Sequence, residues 1–160
     1  MAPLRPVTAL AVVAASILLA GCGVLGGAGA EPTPTPTGPP EVDVLDLAVG
    51  DCFATGESAK ATLSVPVVDC ALQHDSEAYA SVAIEGTAFP GDDAVHDRAI
   101  AECTTRFTAF IGLDYEKSSL DFAYYYPTVS SWERGDHRIL CLAIDPKAGS
   151  ITGSLAGAAR

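Results

Sequence analysis

Basic side chains are scarce. Nine Lys and Arg stand against twenty Asp and Glu, a formal charge of −11 over 160 residues. A chain this acidic repels a phosphate backbone, which clustered Lys and Arg must grip, so nucleic acid is excluded as a partner. It also offers no basic patch for an anionic lipid surface. No cysteines are spaced as C-x-x-C, which argues against a Cys₄ zinc site. G-x-S-x-G, H-E-x-x-H and the P-loop are missing as well. Only one long apolar run occurs, at the amino end, and it inflates the mean hydropathy of +0.29.

That run has a recognisable construction. Residues 1–21 carry a single charge, Arg5, and then an uncharged stretch from Val7 to Ala20. A short basic region, an apolar core of the usual ~7–15 residues and a small-residue exit make a secretory signal. Leu19-Ala20-Gly21-Cys22 resembles the lipobox of bacterial lipoproteins, in which cleavage precedes the cysteine and that cysteine takes acyl chains. Lipidation at Cys22 is therefore expected, with residues 1–21 removed. The competing reading, an uncleaved span from Val7 to about Ala30, fills its second half with glycines, each costing ~1 kcal/mol of helix propensity. Acyl chains contribute about 0.8 kcal/mol per buried CH₂, enough to hold the protein on the outer face of the cytoplasmic membrane. Gly21 to Gly26 also spells G-x-G-x-x-G, but a signal exit precedes it and a Pro-rich segment follows, so it is no dinucleotide site.

Residues 22–40 read as a Gly/Pro/Thr-rich tether. Pro alternates with Thr from Pro32 to Thr37, which favours polyproline II and a reach of about 30 Å for ten residues. Its threonines are possible sugar acceptors, although a bare spacer is the simpler reading. Beyond it, residues 41–160 have the length of one domain. They hold Cys52, Cys70, Cys103 and Cys141, an even number, and in an exported chain that predicts two disulfides. Three connectivities are possible. Sequential pairing is expected, contributing roughly 3 and 4 kcal/mol by loop entropy.

The patterns within 41–160 predict an α+β fold: a small, largely antiparallel sheet packed on one long helix and stapled by two disulfides. Residues 65–70 and 77–84 read as strands, antiparallel to each other because the link between them is too short for a helix. Residues 92–111 read as the helix, with Asp92 or Asp93 at its start and Gly112 just past its end. Val95, Ala99, Ile100, Cys103, Phe107, Phe110 and Ile111 share an arc of about 160°. Leu120 to Tyr126 is a strand stopped by Pro127. Ser130 and Glu133 have capping-box spacing for a helical turn. Arg138 to Ile144 is the last strand expected, with Cys141 on the face that a helix cysteine can reach. The tail, 145–160, is read as irregular.

These pieces, in this order, resemble the septum-formation domain of actinobacterial exported proteins. The resemblance rests on Val49-Gly50-Asp51-Cys52-Phe53, Val67-Val68-Asp69-Cys70, His74-Asp75, Glu77, Phe89-Pro90-Gly91 and Cys103. It continues through Tyr126-Pro127, Trp132, Gly135-Asp136, Cys141-Leu142 and Gly153-Ser154-Leu155. It implies a link to division-septum formation in the cell envelope, and no defined chemistry or cofactor.

Few residues stand out as a site. His74, Asp75 and Glu77 gather three polar ligand types in four positions, yet a tight loop rarely supplies a metal geometry, so no metal is expected. Either they build a turn or they touch a partner. His96 is placed on the rim of the helix, and His137 shows no partner. Tyr126 and Trp132, with Tyr124 and Tyr125, are either packing residues or a face for glycan. With no catalytic residue identifiable, the expected role is a non-enzymatic interaction module for an envelope or division protein. The alternative is a glycan-binding or wall-active enzyme domain.

Overall fold

A computed structural model describes residues 38–55 and 64–160. The signal peptide, Cys22 and the tether up to residue 37 lie outside the described residues. Among the described residues no helix is long and apolar enough to cross a membrane.

The fold is α+β, as expected. Its strands are β1 (Glu41–Asp43), β2 (Cys52–Phe53), β3 (Ser64–Val68), β4 (Gln73–His74), β5 (Ser76–Ala83), β6 (Asp121–Tyr125), β7 (Arg138–Ile144) and β8 (Ile151–Thr152). Six of them form an antiparallel sheet in the order β1-β3-β2-β5-β7-β6, and β4 pairs with β8 separately. The long helix α1 (Asp92–Ile111) lies on one face of the sheet, and a short helix α2 (Val129–Trp132) follows β6.

α1 begins at Gly91, whose φ of +99° an L side chain would resist. No side chain caps this end; Asp92 and Asp93 instead occupy the first turn, where their charge suits the helix dipole. This corrects the expected aspartate cap, because the glycine turn puts Asp92 already inside the helix. Gly112 closes the other end at φ +82°. Two of the last carbonyls are taken by the tail, from Gly157 N–H to Phe110 and from Ala159 N–H to Ile111. Val95, Ala99, Cys103, Phe107 and Ile111 form an i, i+4 row that is completely buried. Ile100 was expected on that face but is 50% exposed, since a helix lying along one row covers a narrower arc.

β7 alternates as its pattern requires. Ile139, Cys141 and Ala143 face α1, while Leu140 and Leu142 face a second core with Leu47, Phe53, Val65 and Ala78. β6 divides likewise, Phe122 and Tyr124 toward the helix, Ala123 and Tyr125 away from it. In β5 the register shifts between Ala78 and Ala80. Tyr79 is the extra residue, and it reaches α1, donating its hydroxyl to Cys103 O at 2.8 Å.

Sequential pairing of the cysteines is confirmed: Cys52 is bridged to Cys70, and Cys103 to Cys141. The second bridge joins α1 to β7 through the middle of the core, where both residues are fully buried.

Three other expectations are corrected. β3 and β5 are not antiparallel neighbours. The two-residue β2 lies between them and pairs antiparallel with both, so β3 and β5 run the same way. A loop doubling back through Asp69, closed by Leu72 N–H to Asp69 O at 2.8 Å, makes this possible without a helix. The capping box sits two residues earlier than expected, at Thr128 and Ser131, whose side chain and main chain bond reciprocally. Finally, the tail is ordered: Ile151 and Leu155 are buried, and Gly153 N–H bonds Cys70 O at 2.7 Å.

Candidate functional site

The loop of His74, Asp75 and Glu77 turns out to be an internal knot. His74 is 1% exposed and points its Nδ1 at Leu72 O, 2.9 Å away, while its Nε2 has no partner among the described residues. A carbonyl can only accept, so Nδ1 carries the proton. Asp75 is half-buried. Its carboxylate takes the Thr55 main-chain N–H at 2.8 Å and the hydroxyls of Thr55 and Ser76. Glu77 is 4% exposed; its two oxygens accept from Ser154 Oγ and Leu155 N–H, each at 2.6 Å. Each of the three side chains is thus engaged by a different part of the chain. Glu77 also lies near Cys52 and Cys70, but both sulfurs are consumed in a disulfide and are not thiolate ligands.

Trp132 is likewise buried. Its ring stacks on His137 at 3.8 Å, meets Phe89 edge-on at 5.8 Å, and donates Nε1–H to Thr87 O. Tyr126 lies 4.3 Å from the His96 ring, and His96 Nδ1 is 3.0 Å from Tyr124 Oη. Tyr125 stacks with Phe53 at 6.5 Å. Trp132 is thus enclosed, whereas Tyr124, Tyr125 and Tyr126 pack on neighbours and stay half-buried.

The open surface lies elsewhere. Among the described residues the two edge strands, β1 and β6, are unpaired on their outer sides. Both line one groove of about 490 Å³, Asp43 ending β1 on one wall and Tyr125 ending β6 on the other. Arg134 and Arg138 also line it, with Val44, Leu45 and Leu140 supplying apolar surface. Arg138 opens β7 and donates to the carbonyls of Val44, Leu45 and Leu47, the last at 2.6 Å. It thereby fastens the 44–47 segment across the sheet. Ion pairs among the described residues join Arg106 to Glu102, Lys117 to Asp114 and Arg160 to Asp145. Neither groove arginine is joined in such a pair, although Asp43 and Asp136 line the same groove.

A second hollow of about 420 Å³ lies on the far side of Tyr125, lined by Thr55, Asp75, Ala123 and Asp145. Burial, reinforced by the Asp75 charge, raises the Tyr125 phenol above its ordinary range. Asp145 is held below the usual carboxylate range, chiefly by the Ala148 N–H, with the Arg160 guanidinium and the Lys147 N–H adding to it. Reading the sequence missed both groove arginines. The available signal was Arg138 at the head of an otherwise apolar strand, a place where a cation needs a reason to be.

Comparison with known proteins finds relatives by sequence. No solved structure matches the chain. The candidate lipoprotein LppN of Mycobacterium tuberculosis is 30% identical over 129 residues, covering 77% of this chain and 70% of its own. A protein of the same name from Mycobacterium bovis matches to the same extent. Residues 37–145, a span that includes the four bridged cysteines, match the septum formation family. The chain belongs to that septum formation family.

Proposed function

We propose that the protein is a lipid-anchored, non-enzymatic recognition module. It stands on the outer face of the cytoplasmic membrane and binds an envelope or division protein through the groove between β1 and β6. The observation that carries this reading is the groove's lining, where two arginines, two aspartates, apolar walls and the ends of both edge strands meet. Such a surface holds a partner. The buried acids outside the groove are spent on structure, Glu77 on the tail and Asp145 on the Lys147–Ala148 turn. The relatives' lipoprotein name and the Leu19–Cys22 motif support the anchor.

Two experiments test it. Cys22→Ala releases the protein from the membrane fraction, and intact mass of the native form shows loss of residues 1–21 with added acyl chains; retention of Met1 overturns the anchor. A photo-crosslinker replacing Ser130, exposed at the groove, captures an identifiable envelope or division protein in intact cells, whereas one replacing Lys147 does not. Equal yields from both positions, or capture of glycan alone, overturn the binding role.

A further inference from the structure

We infer that the Cys52–Cys70 bridge is a redox-sensitive clasp on residues 151–155, opened by an extracytoplasmic dithiol and closed again on reoxidation. It does not depend on what the groove binds.

The first observation is access. Of the four bridged cysteines, Cys52, Cys103 and Cys141 are fully buried, and Cys70 alone is partly exposed. A thiolate from solvent therefore meets one bridge, and meets it at Cys70. The bridge between α1 and β7 is sealed in the core.

The second is what the bridge joins. Cys70 O accepts the Gly153 N–H at 2.7 Å, and just beyond it β4 pairs with β8, His74 opposite Ile151. Cys52 is paired across β2 and β5 with Glu77, whose carboxylate holds Ser154 Oγ and the Leu155 N–H. The sulfur–sulfur bond thus ties together the two supports of one short segment. Further along, the tail has separate holds. Gly157 and Ala159 bond the last carbonyls of α1, and Arg160 pairs with Asp145. Residues 151–155 can therefore come away while 157–160 stay in place.

The third is what the segment covers. Ile151 and Leu155 are buried in the helix-side core. His74, opposite Ile151, is 1% exposed, and its Nε2 has no partner among the described residues. A buried nitrogen without a partner costs the closed form stability that contact with water returns, so this closure is weaker than the core around it.

The chemistry is a dithiol–disulfide exchange. A thiolate of the dithiol attacks Cys70 Sγ, the Cys52–Cys70 bond breaks, and Cys52 Sγ leaves with the electron pair and takes a proton. The second thiol attacks the mixed disulfide, frees Cys70 as a thiol and leaves the dithiol oxidised to its own disulfide. The 69–74 loop then has no covalent hold on β2 and releases Gly153 first. Glu77, seated in β5, keeps Leu155 longer.

The test treats the full chain, purified in detergent, with stepped dithiothreitol under native conditions and alkylates it at each step. Mass spectrometry reads cysteine labelling and hydrogen exchange together. Cys52 and Cys70 become labelled at a dithiol concentration at least about tenfold below the one that opens Cys103–Cys141. At that step exchange rises at residues 151–155, most at Gly153, while residues 95–107 stay protected, and reoxidation restores the original pattern. Glutathione, a monothiol, leaves its mixed disulfide on Cys70. Simultaneous opening of both bridges, a mixed disulfide on Cys52, an open bridge with residues 151–155 still protected, or loss of protection spread through α1 overturns the inference.

Discussion

The carboxylate of Glu77 accepts a hydrogen bond from the Leu155 main-chain N–H across 78 positions of sequence. Both residues are buried, and Ser154 supplies the second oxygen's partner. One acidic side chain in β5 therefore anchors the carboxyl-terminal tail, which in turn covers the end of α1. Replacing Glu77 by Leu strands the Leu155 N–H without an acceptor and costs about 1–3 kcal/mol. Glu77→Gln is milder, because the Ser154 hydroxyl can reverse and accept from the amide. Hydrogen exchange should rise at residues 151–159 in the Leu variant first; unchanged protection there would refute the anchor.

The two bridges differ in the loops they close. Cys52 and Cys70 are separated by 18 residues, Cys103 and Cys141 by 38. Double substitution by alanine should cost about 3 kcal/mol for the first pair and about 4 kcal/mol for the second. Urea denaturation of the two variants measures both, and a larger loss from the shorter loop would contradict the entropic account.

Asp145 predicts an acid-sensitive contribution. Its folded carboxyl titrates below its ordinary value of 3.8, chiefly because of the Ala148 N–H. A depressed folded pKa stabilises fully above the unfolded value and is lost as pH falls through the folded one. Wild type should exceed Asp145→Asn in stability by a constant margin near neutrality, and that margin should shrink below about pH 4. Denaturation at stepped pH reads it directly; a margin that widens in acid would invert the assignment.

Arg138 holds three carbonyls of the 44–47 segment. Arg138→Met keeps the stem and removes the donors, costing about 2 kcal/mol and loosening that segment in hydrogen exchange. Stability equal to wild type would mean that these carbonyls find water without loss.

Much of this was readable beforehand, for definite reasons. A 20-residue apolar periodicity ending before Gly112 announces α1, and the continuous apolar run from Ile139 to Ile144 announces β7, whose two-residue period gives the face of Cys141. β2 was not readable as a central strand because two residues carry no periodicity; its place comes from pairing on both sides. The tail was unreadable for a similar reason. Its buried side chains, Ile151 and Leu155, are isolated among small residues, and the Glu77 contact that orders them is remote in sequence. His74 and Glu77 looked like surface ligands because a polar cluster reads as exposed until its internal acceptors and donors are known. The groove eluded the sequence because its walls come from opposite edges of the sheet.

The position of the first bridge bears on mechanical load. A pull arriving from the amino-terminal side meets β1, whose three residues pair with β3 and peel one by one. Unravelling then runs along the 44–51 segment until it reaches Cys52, which is tied covalently to Cys70. There the load crosses the bridge to Cys70, so β3, inside the closed loop, is bypassed and tension passes directly to the chain that leads into β4 and β5.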